Sequence, residues 1–243
     1  MRVSHFAVPL ALLFWQIAPA GGPSRDTPPR PGLMRLGLAY ATGDWEQASF
    51  DCDGNYVSSV LVPARSAGAR LDYQSGGGAL RVTAVGGQWW WPGNRGYYAP
   101  GARTTFAGAL VAYEGTGIGI GAGFVNRPFA LDVTSVPSFY LRLGRADRAH
   151  YQVEAYPLTE TPTMMGTVRV GMGFGQGPAA RGRVNGFVGL AWGPYTDVVG
   201  QGVVTADIGI PLSPSLELLV RGNAGPGAGK AQWAVGGGLR ITR

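Results

Sequence analysis

The sequence predicts an all-β fold, an antiparallel up-and-down β-barrel of about twelve strands, ten being the other count the pattern allows, that crosses a membrane with its apolar face outward. Three observations carry this. Apolar and polar residues alternate with a period of two, most cleanly in the last stretch, where Ala231, Trp233, Val235, Gly237, Leu239 and Ile241 face away from Gln232, Ala234, Gly236, Gly238, Arg240 and Thr242. Glycine is abundant, at 41 of 243 residues, which disfavours helices because each interior glycine costs one about 1 kcal/mol. Short turns alternate with longer loops, and aromatic residues gather near strand ends rather than strand middles.

The chain begins Met1-Arg2, runs through an apolar stretch from Phe6 to Ile17 and reaches Ala18-Pro19-Ala20, the pattern of a cleaved secretory signal peptide over residues 1–20. Residues 21–31 carry four prolines and no apolar periodicity, and read as a disordered lead-in. The barrel is then residues 32–243. Beyond the signal no apolar run reaches the roughly twenty residues of a spanning helix, whereas a spanning strand needs only about ten residues with half of them apolar. The formal net charge of +6 is carried by arginine apart from Lys230. These arginines are scattered singly rather than clustered in a stripe, which argues against a nucleic-acid partner. Cys52 is the only cysteine, so it has neither an internal disulfide partner nor a cysteine-based metal site, and no cofactor is expected.

Taken in order, a first strand over 33–42 sets Arg35, Gly37 and Ala39 against Leu36, Leu38 and Tyr40. A long polar loop is expected from Thr42 to about Ser66, its Asp44, Glu46, Asp51 and Asp53 being solvated loop charge or, less economically, ligands for a divalent cation. Strands follow at 67–75 and 79–91 around Gly76-Gly77-Gly78, and at 104–114 and 117–126 around Glu114-Gly115-Thr116-Gly117. The glycines alternating with Ile118, Ile120, Ala122 and Phe124 leave one face bare, a mark of bends or of close approach by another element. After a loop from Asn126 to Pro137 come strands carrying Phe139, Leu141 and Leu143, then Tyr151, Val153 and Ala155, then Val168, Val170 and Met172, then Val188, Leu190 and Trp192. The segment Pro157 to Thr163 is expected as a loop. Strands ending at Ile210 and rising through Leu216, Leu218 and Val220 precede the last one.

A soluble sandwich and a membrane barrel share this alternation but place aromatics differently. If the longer loops are outside, Trp89, Trp90, Trp91, Trp192, Tyr195 and Trp233 fall near outer strand ends, and Tyr73 and Tyr113 near inner ends, forming two belts at the lipid headgroups. The whole of 32–243 therefore resembles the small Gram-negative outer-membrane β-barrel proteins, and the last strand is similar to their C-terminal assembly signal in Gly236, Leu239 and Ile241. It departs from that signal at Ala234, in its aliphatic end residues and in Arg243 in place of a terminal phenylalanine. The resemblance implies residence in the outer membrane, contact with its lipid and lipopolysaccharide, and handling by the outer-membrane assembly machinery.

No catalytic site is expected. The mature chain has one histidine, His150, and its pairing with Glu154 along one strand face is a weak constellation without a nucleophile. The inward face collects Arg35, Arg70, Arg81, Arg142, Arg169, Arg183, Arg221 and Arg240 against Asp72, Glu154, Asp207 and Glu217. Buried charges must pair or be wetted, so the expectation is a lumen network with surplus positive potential, serving structure or a small passive pore. The alternative is a secreted soluble all-β protein that binds an apolar ligand or partner through one sheet face, with an outer-membrane lipid hydrolase a further one.

Overall fold

The computed structural model describes residues 32–53, 55–91, 102–129, 132–161, 168–176, 181–192, 202–226 and 229–243. The expected signal peptide and lead-in, Tyr195 and the side chain of Trp91 lie outside the described residues. Twelve strands form: β1 Leu33–Phe50, β2 Tyr56–Gln74, β3 Leu80–Trp91, β4 Ala102–Glu114, β5 Ile118–Phe129, β6 Asp132–Leu143, β7 His150–Ala155, β8 Val168–Phe174, β9 Asn185–Trp192, β10 Val203–Ser213, β11 Leu216–Pro226 and β12 Ala231–Thr242. Each pairs antiparallel with its neighbours in sequence, and β12 closes the ring on β1.

Period-two alternation sorts the side chains. On β1 Leu36 and Leu38 point out while Gly37 and Ala41 are buried, and on β12 Trp233, Val235, Leu239 and Ile241 point out while Gln232 is buried. The same aliphatic exterior continues through Ile120, Val153, Val170, Leu190 and Val220. The bare face of β5 turns inward, where Gly119 makes room for Glu114, Tyr140 and Arg142, and Gly121 for Leu110 and Ala112.

Two expected loops are instead strand. Residues 42–66 are not a polar loop: β1 and β2 pair continuously from Leu33 opposite Gln74 to Ser49 opposite Ser58, with an irregularity at Ser49/Phe50. Neighbouring strands pair with β1 only to Asp44 and with β2 only from Arg65, so among the described residues the remainder rises past the ring as a two-stranded ribbon. A ribbon needs cross-strand hydrogen bonds but no apolar side, which is why its composition reads as loop. At its tip the Asp51 carboxylate accepts the backbone N–H of Asp53 at 3.0 Å and of Asn55 at 2.7 Å, and the Asn55 side-chain amide at 3.0 Å. That carboxylate therefore shapes a turn. Likewise, of the loop expected from Asn126 to Pro137, residues 126–129 and 132–137 are strand, with Phe129 opposite Asp132. At these two connections the asymmetry between the barrel's ends thus lies in strand height.

The closing register sets Leu38 opposite Leu239. Directly opposed antiparallel residues lie about 4.5–5.5 Å apart at Cα, within the range a disulfide spans. In a Cys52→Ser background, Leu38→Cys with Leu239→Cys is expected to cross-link on oxidation, whereas Leu38→Cys with Val235→Cys, offset by four residues, is not. Non-reducing electrophoresis of the folded protein reads the difference; the reverse pattern would contradict the ring closure.

Candidate functional site in the barrel lumen

The inward face of the ring carries a charge network. Arg70 grips Asp72 with two hydrogen bonds, Nε to Oδ2 at 2.7 Å and Nη2 to Oδ1 at 2.8 Å, while the Thr83 hydroxyl donates to the same carboxylate at 2.6 Å. Glu114 takes Arg81 at 3.1 Å on one oxygen and Arg142 at 3.1 Å on the other. Arg169 bridges Glu154 and Asp207, and Asp207 also accepts from Arg221. Arg240 donates to Glu217 at 3.2 Å, and Asn185 holds the other Glu217 oxygen at 3.0 Å. Rings back two of the cations: Arg81 lies 4.3 Å over Tyr140 and Arg169 lies 4.5 Å over Phe187.

The network is crossed by a segment that the sequence reading placed among the loops. After β7 the chain turns at Tyr156, whose φ of 49° is left-handed, and its carbonyl is held by the Ser138 hydroxyl at 2.9 Å. Pro157, Leu158, Thr159, Glu160 and Thr161 are then all buried within the barrel. Leu158 packs with Val85, Leu110, Ala112 and Tyr140, and its carbonyl accepts from Arg70 at 2.8 Å. Glu160 reaches the other side, pairing with Arg221 at 2.9 Å and Arg240 at 3.4 Å, while Thr161 accepts from Arg221 at 2.9 Å. Glycines cradle the crossing. A Cβ on Gly37 would strike the Glu160 carboxylate, and one on Gly68 its backbone carbonyl. Glu160 sits on this connection rather than on a strand. Burial opposes its ionisation, but Arg221, Arg240 and Arg70 outweigh burial and hold its carboxyl at about 2.

Three assignments need correction. Arg183 is not in the lumen: β9 begins at Asn185, so Arg183 is exposed in the preceding turn, where its carbonyl accepts from Asn185 at 3.2 Å. Glu114 and Glu160 belong to the network and were missed, the first because it ends a strand and the second because it lies in a loop. Arg35, Arg70, Arg81, Arg142, Arg169, Arg221 and Arg240 therefore face Asp72, Glu114, Glu154, Glu160, Asp207 and Glu217, seven cations against six anions among the described residues, so the expected positive surplus narrows to one. Trp89 is no interface anchor either. Successive residues of a strand face opposite ways, so Trp89, opposite Ser66 and Thr104, is buried inside, while Trp90 points out against Tyr40 with ring centroids 6.0 Å apart. Trp233 and Tyr73 are exposed outside, and Trp192 and Tyr113 are half-buried.

His150 and Glu154 do not meet as a pair. His150 is buried, its Nδ1 donating to the Arg148 carbonyl at 2.9 Å and its Nε2 lying 3.3 Å from Gln152, whereas Glu154 is taken by Arg169. Towards the end of the ring that holds the β2–β3, β6–β7 and β8–β9 turns, a cavity of about 120 Å³ remains, lined at its rim by Leu33, Gln74, Ala146 and Gln176 and deeper by Arg35, Asp72, Arg169 and Arg240.

Fold and lumen together define a closed β-barrel with an apolar exterior and a charged, internally bridged interior. No family model matches the chain, and no curated protein does. Among solved structures it is similar to Salmonella typhi OmpF in a complex with daunomycin, at 10% identity over 87% of this chain and 97% of that one, with a TM-score of 0.31. So loose a superposition carries no weight for function.

Replacing Glu160 with Gln removes the charge that Arg221 and Arg240 share, although each keeps a second carboxylate. The expected loss is about 3 kcal/mol, the lower end for breaking a buried pair. Because the folded carboxyl is depressed to about 2 from an unfolded value of ~4.3, the gap between wild type and Glu160→Gln is full above about pH 5 and shrinks as the pH falls toward 2. Equilibrium unfolding across that range measures it, and a pH-independent gap would contradict the ion-pair account.

Proposed function

We propose that this chain is an outer-membrane β-barrel without catalytic activity, exported by its N-terminal signal, which forms a small passive pore held shut at rest by Pro157–Thr161. The observation that carries this reading is the aliphatic exterior. Leu36, Leu38, Ile120, Leu190, Val220, Val235 and Leu239 are all exposed around the ring, while Arg35, Arg221 and Arg240 on β1, β11 and β12 turn inward. In water an apolar belt of that extent is untenable for a monomer; in acyl chains it is the expected surface. Trp233 and Tyr73 suit the interfaces of such a belt. Lipid and lipopolysaccharide are then the exterior's partners, and the assembly machinery inserts the barrel.

The interior supports a pore that is narrow and mostly closed. Leu158 and Glu160 tie the crossing segment to opposite walls, and the described lumen charge nearly cancels. In planar bilayers the wild type is expected to show rare, small steps with weak anion preference. The double variant Gly37→Ala/Gly68→Ala, which crowds Glu160 out of its cradle, is expected to lengthen and enlarge them. Silence from both variants would leave a structural barrel without transport.

Membrane residence has its own test. Leu38→Arg is expected to cost about 2–4 kcal/mol in vesicles, as a charge does near the bilayer midplane, against about 0.5 kcal/mol or less at a water-exposed site. Denaturant titration of the vesicle-inserted protein measures it. A negligible cost, together with recovery in the soluble periplasm, would favour a soluble all-β protein that binds an apolar partner.

A further inference from the structure

The cavity below the crossing segment has an uneven charge. Six arginines line it against four carboxylates, Asp72, Glu114, Glu154 and Asp207, while Glu160 and Glu217 are not part of its lining. Register gathers three of the six arginines in one corner. Arg70 on β2 and Arg240 on β12 both stand opposite Gly37 on β1, and Arg35 lies two residues along β1 on the same inward face. Three guanidiniums on three adjacent strands thus border the same part of the cavity. The carboxylates nearest them are engaged elsewhere as well: Asp72 by Thr83, Glu217 by Asn185, and Glu160 by Arg221.

We infer that this corner binds one small oxyanion, phosphate- or carboxylate-headed, which enters from the rim formed by Leu33, Gln74, Ala146 and Gln176. Guanidinium forks match the geometry of such heads, and low-dielectric walls strengthen the attraction. The volume of about 120 Å³ has room for a few waters or one anion of that size. The inference rests on the reading of the lumen as a vestibule closed by Pro157–Thr161, since an anion held at the end of a closed vestibule is bound rather than passed.

Calorimetric titration of the purified full-length barrel in detergent at low ionic strength tests it, with sodium phosphate, sodium acetate and sodium chloride as parallel arms. Saturable binding of one equivalent is expected for phosphate if a phosphate head is the ligand, or for acetate if a carboxylate is, with chloride at least tenfold weaker than either. Arg35→Gln should weaken binding at least tenfold. Asp72→Asn, which removes a carboxylate from the cavity and releases Arg70, should tighten it several-fold, a direction that a damaged fold does not produce. Arg148→Gln, at an exposed turn arginine, should change nothing. Absence of saturable heat for both oxyanions in a barrel of native electrophoretic mobility overturns the inference. Equal loss in Arg35→Gln and Arg148→Gln, or chloride binding as tightly as the oxyanions, does so too. Conductance is read separately: a barrel that binds phosphate yet never conducts keeps the site and loses the pore, and one that conducts without saturable binding does the reverse.

Discussion

Everything in this molecule depends on the pairing of its first strand with its last. Arg35 to Asp44 on β1 align with Thr242 to Trp233 on β12, so the ring has no open edge at the height of that ladder, and its backbone donors and acceptors are met by neighbours. Closure also creates an inside. Once the ring is shut, alternate residues of each strand share a bounded space that must be filled or wetted, while the others face whatever surrounds the barrel. Bulky inward rings are accommodated by inward glycines: Phe106 lies over Gly68 and Gly87, and Phe187 over Gly171 and Gly189. Glycine abundance is therefore a packing requirement of this closed ring as much as an aversion to helix.

The enclosed space is chemically divided, and the division explains why a connection enters it. One side, from β3, β4 and β6, presents Val85, Leu110, Ala112 and Tyr140; the other, from β11 and β12, presents Arg221 and Arg240. Neither side complements the other directly. Leu158 and Glu160, two residues apart, satisfy one side each. The acidic residue completes the ionic balance of the lumen as well, since without Glu160 the network would hold seven cations against five anions. Such a cluster would repel itself unless solvent or a bound anion compensated.

Strand positions and facing were legible from period-two alternation, because one side of each wall is apolar and the other is not. Leu36, Leu38, Val220 and Leu239 on one face, and Arg35, Arg221 and Arg240 on the other, follow from the pattern alone. The pattern fails where that contrast fades. The ribbon continuing β1 and β2 rises past the ring, so its composition resembles a loop although its backbone pairing runs on to Ser49 opposite Ser58. Arg183 sits two residues before β9 begins, where alternation persists in the letters but no wall exists to define a face. Trp89 was grouped with its neighbour by residue type, when strand geometry requires the two to part. Glu160 left the weakest trace. A carboxylate between threonines in a proline-flanked segment looks like any solvated loop, and only the unmatched arginines across the lumen hinted that an anion was missing.

The energetics of the crossing segment bear on whether it is a permanent wall. Burying Leu158 contributes about 2 kcal/mol, the Glu160 ion pairs about 3, and the hydrogen bonds from Arg70 and Arg221 to the Leu158 carbonyl and the Thr161 hydroxyl about 3 together. Against this stands the ordering of five residues, about 1–2 kcal/mol each. The opposing totals, about 8 and about 5–10 kcal/mol, lie close together. A segment so balanced can leave its seat without unfolding the ring, whose backbone ladder does not run through it. Part of the cost of leaving is the charge uncovered at Arg221 and Arg240, and an anion held beside Arg240 lowers that part. Anion occupancy of that corner and displacement of Glu160 are in this way coupled through Arg240, the guanidinium that borders both, and by linkage each favours the other.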